Sequence, residues 1–190
     1  MSERAAVAKT ETIRSMLSEG KGRISVGRAE EVAALVIAHP EKLDRLMECM
    51  WDNDAGVTNR AAHAMERVTR DDMTTFAWRL APWKTSLLGL LQEASENKLR
   101  WHLALVIPRL SLDGQECRRA ASALQAWFDD GSSIVKTMVM QGLADLTHQD
   151  PSMVPEVLDF LRILSRTGTP AMRARGRMLL LKLESKAAKS

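Results

Sequence analysis

The chain has no tyrosine, three phenylalanines and two cysteines, and aromatic residues make up only 4% of it. β-Branched and aromatic side chains are what a half-buried sheet needs, and their scarcity points to helix. Two cysteines, Cys49 and Cys117, cannot staple a small secreted scaffold, so a reducing, cytoplasmic compartment is expected. Neither cysteine belongs to a C-x-x-C pair. The four histidines, His39, His63, His102 and His148, never recur at the i,i+4 spacing of a helical metal site. No metal and no cofactor are therefore expected. No apolar run approaches the roughly 20 residues of a membrane span. The N-terminus carries early acids and lacks the apolar core of a secretory signal, so no membrane partner is expected either. Neither sign of charge dominates. A net charge of +3 and a pI near 9.1 do not by themselves imply nucleic acid.

What is present is a repeated apolar stripe. Val57, Ala61, Met65 and Val68 stand at offsets zero, four, eight and eleven, on one side of a helix. Leu99, Leu103, Ile107 and Leu110 repeat the offsets. So do Val135, Val139, Leu143 and Leu146, and then Met172, Gly176, Leu180 and Leu183. The anchors Val57, Leu99, Val135 and Met172 lie 42, 36 and 37 residues apart, a period that means stacked helical repeats. Eleven methionines suit irregular helix–helix packing.

Proline marks the same period. Pro40, Pro82 and Pro155 stand seventeen residues before three of the anchors, and Arg118 takes that place in the remaining unit. Each proline precedes an apolar run, so each unit reads as a first helix opened at the proline, a turn, and a second helix. The turns are acidic, as in Asp52-Asn53-Asp54 before Val57 and Asp129-Asp130 before Val135-Lys136. Leu99-Arg100 and Met172-Arg173 repeat the second-helix opening. Over roughly residues 29–185 this resembles the HEAT-repeat family. The resemblance implies an all-α fold, a right-handed α-α superhelix (an α-solenoid) of about four helix pairs behind an N-terminal capping helix. The pairs are expected at about 29–70, 71–112, 113–149 and 150–185. Residues 1–28 form the cap and its linker, with a helix over 3–18, and 186–190 a frayed tail. Asp71-Asp72 is expected to cap the first helix of the second pair.

Chemistry is harder to find. Gly20-Lys21-Gly22-Arg23 could be a phosphate loop, but it lacks the Walker spacing and no strand precedes it, so a cap break is the preferred reading. Cys117, between Glu116 and Arg118, reads as a buried structural thiol before a nucleophile. Some HEAT-like solenoids are DNA glycosylases, and Trp51-Asp52-Asn53-Asp54 pairs an aromatic with acids. The repeat itself accounts for both, with Trp51 ending the first helix and the acids forming the turn. No glycosylase motif matches, and the chain is not expected to be an enzyme.

Two binding surfaces are candidates. Trp101, Leu105 and Pro108, at offsets two, six and nine, lie opposite the stripe; they form either an exposed apolar patch for a protein or a face that the following repeat covers. The second candidate is basic. First-helix segments 29–53, 71–93, 113–130 and 150–166 together carry −8, and second-helix segments 57–70, 97–110, 133–148 and 169–185 carry +8. The resemblance assigns Arg100, Lys136 and Arg173 to contacts with turn acids. At offsets three and ten, two residues share one helix edge, because seven steps of about 100° return to within about 20°. They are Arg60 and Arg67, His102 and Arg109, and Arg175 and Lys182, with the series broken by Met138 and Asp145. Stacking would align them into a track for a phosphate backbone or an acidic segment, or leave them as a solvated flank. The expected function is a non-catalytic scaffold or adaptor that binds a protein on its concave face, with nucleic acid as the alternative partner.

Overall fold

The computed structural model of the chain describes residues 11–71 and 73–187. The start of the expected helix at residue 3, the Asp72 member of the capping pair and residues 188–190 of the expected tail lie outside the described residues. The fold is all-α, with α-helices and short 3₁₀ turns and no strand among the described residues. The helices are α1 (Ile13–Ser18), α2 (Ala29–Ala38), α3 (Leu43–Glu48), α4 (Ala55–Asp71), α5 (Met73–Leu80), α6 (Lys84–Glu93), α7 (Asn97–Val106), α8 (Gly114–Gln125), α9 (Ser133–Leu146), α10 (Val154–Thr167) and α11 (Pro170–Ala187). The chain divides into two compact units, 1–64 and 65–190, with the division inside α4.

Proline does what its chemistry requires. Pro40 and Pro82 each sit in a three-residue 3₁₀ turn, Pro40–Lys42 and Ala81–Trp83, that separates α2 from α3 and α5 from α6. Pro155 stands in the first turn of α10, where its missing N–H leaves no bond unmade. It restarts the helix and does not kink it. Pro170 opens α11, which runs through Ala187, so residues 186 and 187 continue the helix where fraying was expected. Asp113 caps α8 through a reciprocal capping box with Glu116, and Ser132 caps α9.

In the first unit α1 packs on α2 and α3, burying Ile13, Met16 and Leu17 against a core that includes Val32, Val36, Leu43, Leu46 and Met47. In the second unit α6 packs on α8, α7 packs on α9, α9 packs on α11, and α11 pairs with α10. α7, α9 and α11 are second helices of the sequence repeat. Fifteen of the sixteen stripe positions are buried, and only Leu180 is half-buried, with its neighbour Leu179 taking the core place. Two glycines record how close the helices come. A methyl group on Gly142 of α9 would overlap the Ala104 carbonyl of α7. On Gly176 of α11 it would meet the Met140 side chain of α9 at 3.1 Å and Ser165 of α10 at 3.0 Å. The stripe carries a glycine at residue 176 because three helices meet there.

Candidate interaction surfaces

The turn acids are built alike. Asp52, Asp130 and Asp150 each accept the backbone N–H two residues on, from Asp54, Ser132 and Ser152. Each also accepts an arginine from an earlier helix. Arg14 reaches Asp52 at 2.6 Å, Arg100 reaches Asp130 at 2.6 Å, and Arg118 reaches Asp150 at 2.8 Å. The Arg14 guanidinium, joined by the Asp54 N–H, holds the Asp52 carboxyl below its ordinary range. Burial alone would raise Asp130, but the Ser132 N–H and Arg100 outweigh it and bring it down. Asp150 is lowered first by the Ser152 hydroxyl and then by its N–H and Arg118. Asp52 and Asp54 are thus turn-forming groups, Asp54 accepting the N–H of Gly56. Trp51 ends a 3₁₀ turn but stands 40% exposed, outside the core.

The basic edge at offsets three and ten turns inward. Arg60 is 2% exposed, and its guanidinium donates to the carbonyls of Leu17 and Gly22. The Gly20–Gly22 loop is its socket. A methyl group on Gly20 would lie 2.8 Å from the Arg60 guanidinium, and one on Gly56 2.7 Å. The loop binds an arginine of its own chain, which is a sufficient role for its glycines. Arg109 donates to the Glu66 carbonyl at 2.8 Å, to Thr69 Oγ1 at 2.9 Å and to Glu66 Oε1 at 2.8 Å. His102 is buried, and its ring stacks with that of Trp101. Arg175 donates to Gln141 Oε1 at 2.9 Å. Arg67 is half-exposed, 3.9 Å from Asp71. Only Lys182 stands fully exposed. Arg60, Arg109 and Arg175 thus each bind groups 34 to 43 residues earlier in the chain and tie elements together within their own unit.

Pro108 is buried, its carbonyl accepts from Gln149, and Trp101 and Leu105 are half-buried. α9 packs on α7, crossing it closely at Ala104. The same offsets in α9, Thr137, Gln141 and Ala144, are also buried or half-buried, and Gln141 meets Arg175 of α11. In α11 the same offsets are Ala174, Met178 and Leu181, all exposed, Met178 at 64% and Leu181 at 71%. The signal was present in the sequence, one offset rule applied to a different repeat.

A cleft of about 570 Å³ in the first unit is lined by Ile13, Arg14, Leu35, Lys42, Arg45 and Cys49, among others. Arg45 there pairs with Glu48 at 3.0 Å. Burial, with Asp52 nearby, pushes the Cys49 thiol up to about 11, and Cys117 is likewise buried and raised. Both thiols are held in the unreactive form. No group of three or more His, Cys, Asp or Glu side chains is placed to hold a metal among the described residues. No described helix is long and apolar enough to cross a membrane. No family model, curated protein or solved structure matches the chain.

Proposed function

We propose that the chain is a non-catalytic scaffold that binds another protein, built as a HEAT-like stack of helix pairs. The observation that supports this most is the spacing of the polar ties. Arg100 to Asp130, Arg118 to Asp150, Lys84 to Glu116 and Arg109 to Glu66 each span about one repeat, as do Arg14 to Asp52 and Arg60 to Gly22. Contacts that recur at the period of the sequence are how a quasi-one-dimensional assembly is held, each pair serving as the template for the next. Assemblies of this kind present extended surfaces to macromolecules.

A protein partner is favoured over nucleic acid because Arg60 and Arg109 are engaged within the fold. Nucleic acid stays as the second reading, supported by the exposed cations Arg173, Arg177 and Lys182 on α11. Capture from lysate on the immobilised full chain, with and without nuclease, separates the two. The proposal expects a protein retained after nuclease digestion and a moderate salt wash. Retention that disappears with nuclease, together with steep salt dependence of direct DNA or RNA binding, would reassign the function.

A further inference from the structure

We infer that the exposed face of α11 is a docking site for an amphipathic helix with acidic flanks, supplied by a protein partner. The inference rests on the scaffold reading and names the surface and the partner. Its first support is positional equivalence. In α9 the side at offsets two, six and nine meets the next second helix at offset six, where Gln141 accepts from Arg175 of α11, and in α7 the offset-nine residue Pro108 is buried, its carbonyl accepting from Gln149. The same positions of α11, Ala174, Met178 and Leu181, lie within about 60° of one another at about 100° per residue. They stand opposite the buried Met172, Gly176, Leu179 and Leu183. α9 packs on α7 and α11 on α9 in turn, so the group that fits the exposed apolar strip of α11 is again a helix with an apolar side.

Charge decides what kind of helix. On α7, Arg100 stands one residue after the anchor and is met by Asp130, an acid from the turn that precedes the covering helix. The equivalent residue on α11 is Arg173, which is exposed and whose guanidinium has no hydrogen bond or ion pair among the described residues. Arg177 and Lys182 border the apolar strip on its two sides, also exposed and with side chains equally without partners. The acids of the pair are engaged elsewhere. Asp159 and Glu184 bind Arg162, and Glu156 binds Gln125. An occupant with aliphatic residues at i, i+3, i+4 and i+7, an acid in the turn before its first helical residue and acids along its flanks would meet each of these groups.

The test uses the full chain and a fluorescein-labelled designed peptide of that pattern, followed by anisotropy. Two control peptides carry Lys for every Glu, or the same composition scrambled. The expected result is saturable binding of the acidic amphipathic peptide only. Met178→Asp/Leu181→Asp should weaken it at least tenfold, and Arg173→Glu/Arg177→Glu should weaken it while gaining the Lys peptide. Both double variants change exposed side chains, and an unchanged thermal melt confirms that they fold. No binding of the acidic peptide, or equal binding by wild type and Met178→Asp/Leu181→Asp, overturns the inference. So does wild-type sedimentation with phosphatidylcholine–phosphatidylserine vesicles in place of peptide binding, or a dimer in light scattering that Met178→Asp/Leu181→Asp converts to monomer. The same variant in the lysate capture separates two failures. A partner that it still retains leaves the scaffold standing and removes this surface, whereas capture of no protein by wild type removes the scaffold reading itself.

Discussion

Replacing Arg109 by methionine should destabilise the second unit, although a basic residue on a helix edge would ordinarily be a surface detail. Its guanidinium makes three hydrogen bonds, to the Glu66 carbonyl, Glu66 Oε1 and Thr69 Oγ1. The Glu66 side chain is 7% exposed and that of Arg109 22%. Methionine keeps most of the apolar stem, so the change isolates the charged head. Deleting one partner of a buried pair leaves a carboxylate without its counter-charge and costs about 3–5 kcal/mol. The partial exposure of Arg109, and Arg70 standing 3.8 Å from the other Glu66 oxygen, bring the expectation to the low end, about 3 kcal/mol. In a chain of this length that lowers the melting temperature by about 6–12 °C. Adding Glu66→Gln to Arg109→Met removes the stranded charge and should return about 1–2 kcal/mol. Urea unfolding followed by far-UV circular dichroism measures both steps. A single variant within about 0.5 kcal/mol of wild type, the range of an ordinary surface change, would refute the assignment of Arg109 as a structural tie.

Other perturbations test other parts of the structure. Leu143→Asp buries an unpaired charge in the α9 core and should cost about 3–5 kcal/mol, whereas Leu181→Asp, with a side chain in solvent, should stay within about 0.5 kcal/mol; equal losses in urea unfolding would mean that α11 is turned the other way. Gly142→Ala must push α7 and α9 apart at the Ala104 carbonyl and should cost about 2 kcal/mol, so a melt at or above wild type would contradict the close crossing. Asp52 and Asp130 have folded pKa values below their unfolded ones, so their stabilisation is complete above the unfolded value of about 3.9 and is lost as pH falls through the folded values. Asp130→Asn should accordingly flatten the acid limb of a stability–pH curve; an unchanged limb would show that the Arg100 contact does not form in solution.

The helices were legible in the sequence because their signals are local. Offsets along a helix fix which side is apolar, and a proline fixes where a helix opens, whatever the neighbours do. Leu180 shows where this stops. Met178-Leu179-Leu180-Leu181 is apolar without a break, so periodicity cannot set the phase, and Leu179 and Leu181 end on opposite sides. The engagement of Arg60 and Arg109 within the fold was not legible for a different reason. A helix edge about 100° from the core stripe borders solvent only if no neighbour packs there, and offsets three and ten face the preceding repeat. Arg60 and Arg109 are long enough to bind backbone carbonyls and a carboxylate across that gap. Of Trp101, Leu105 and Pro108 on the opposite side, Pro108 is buried and the other two are half-buried. The residues at the same offsets of α11 include Met178 and Leu181, which stand exposed, a placement that offsets alone do not distinguish from the buried Pro108.

Hydrogen exchange on the full chain, free and saturated with its captured protein partner, tests the central claim most directly. Docking on the exposed face should slow exchange over residues 170–185 and leave residues 55–64, where Arg60 is already committed inside, unchanged. Protection centred on 55–71, or none over 170–185 with the partner bound, would contradict it.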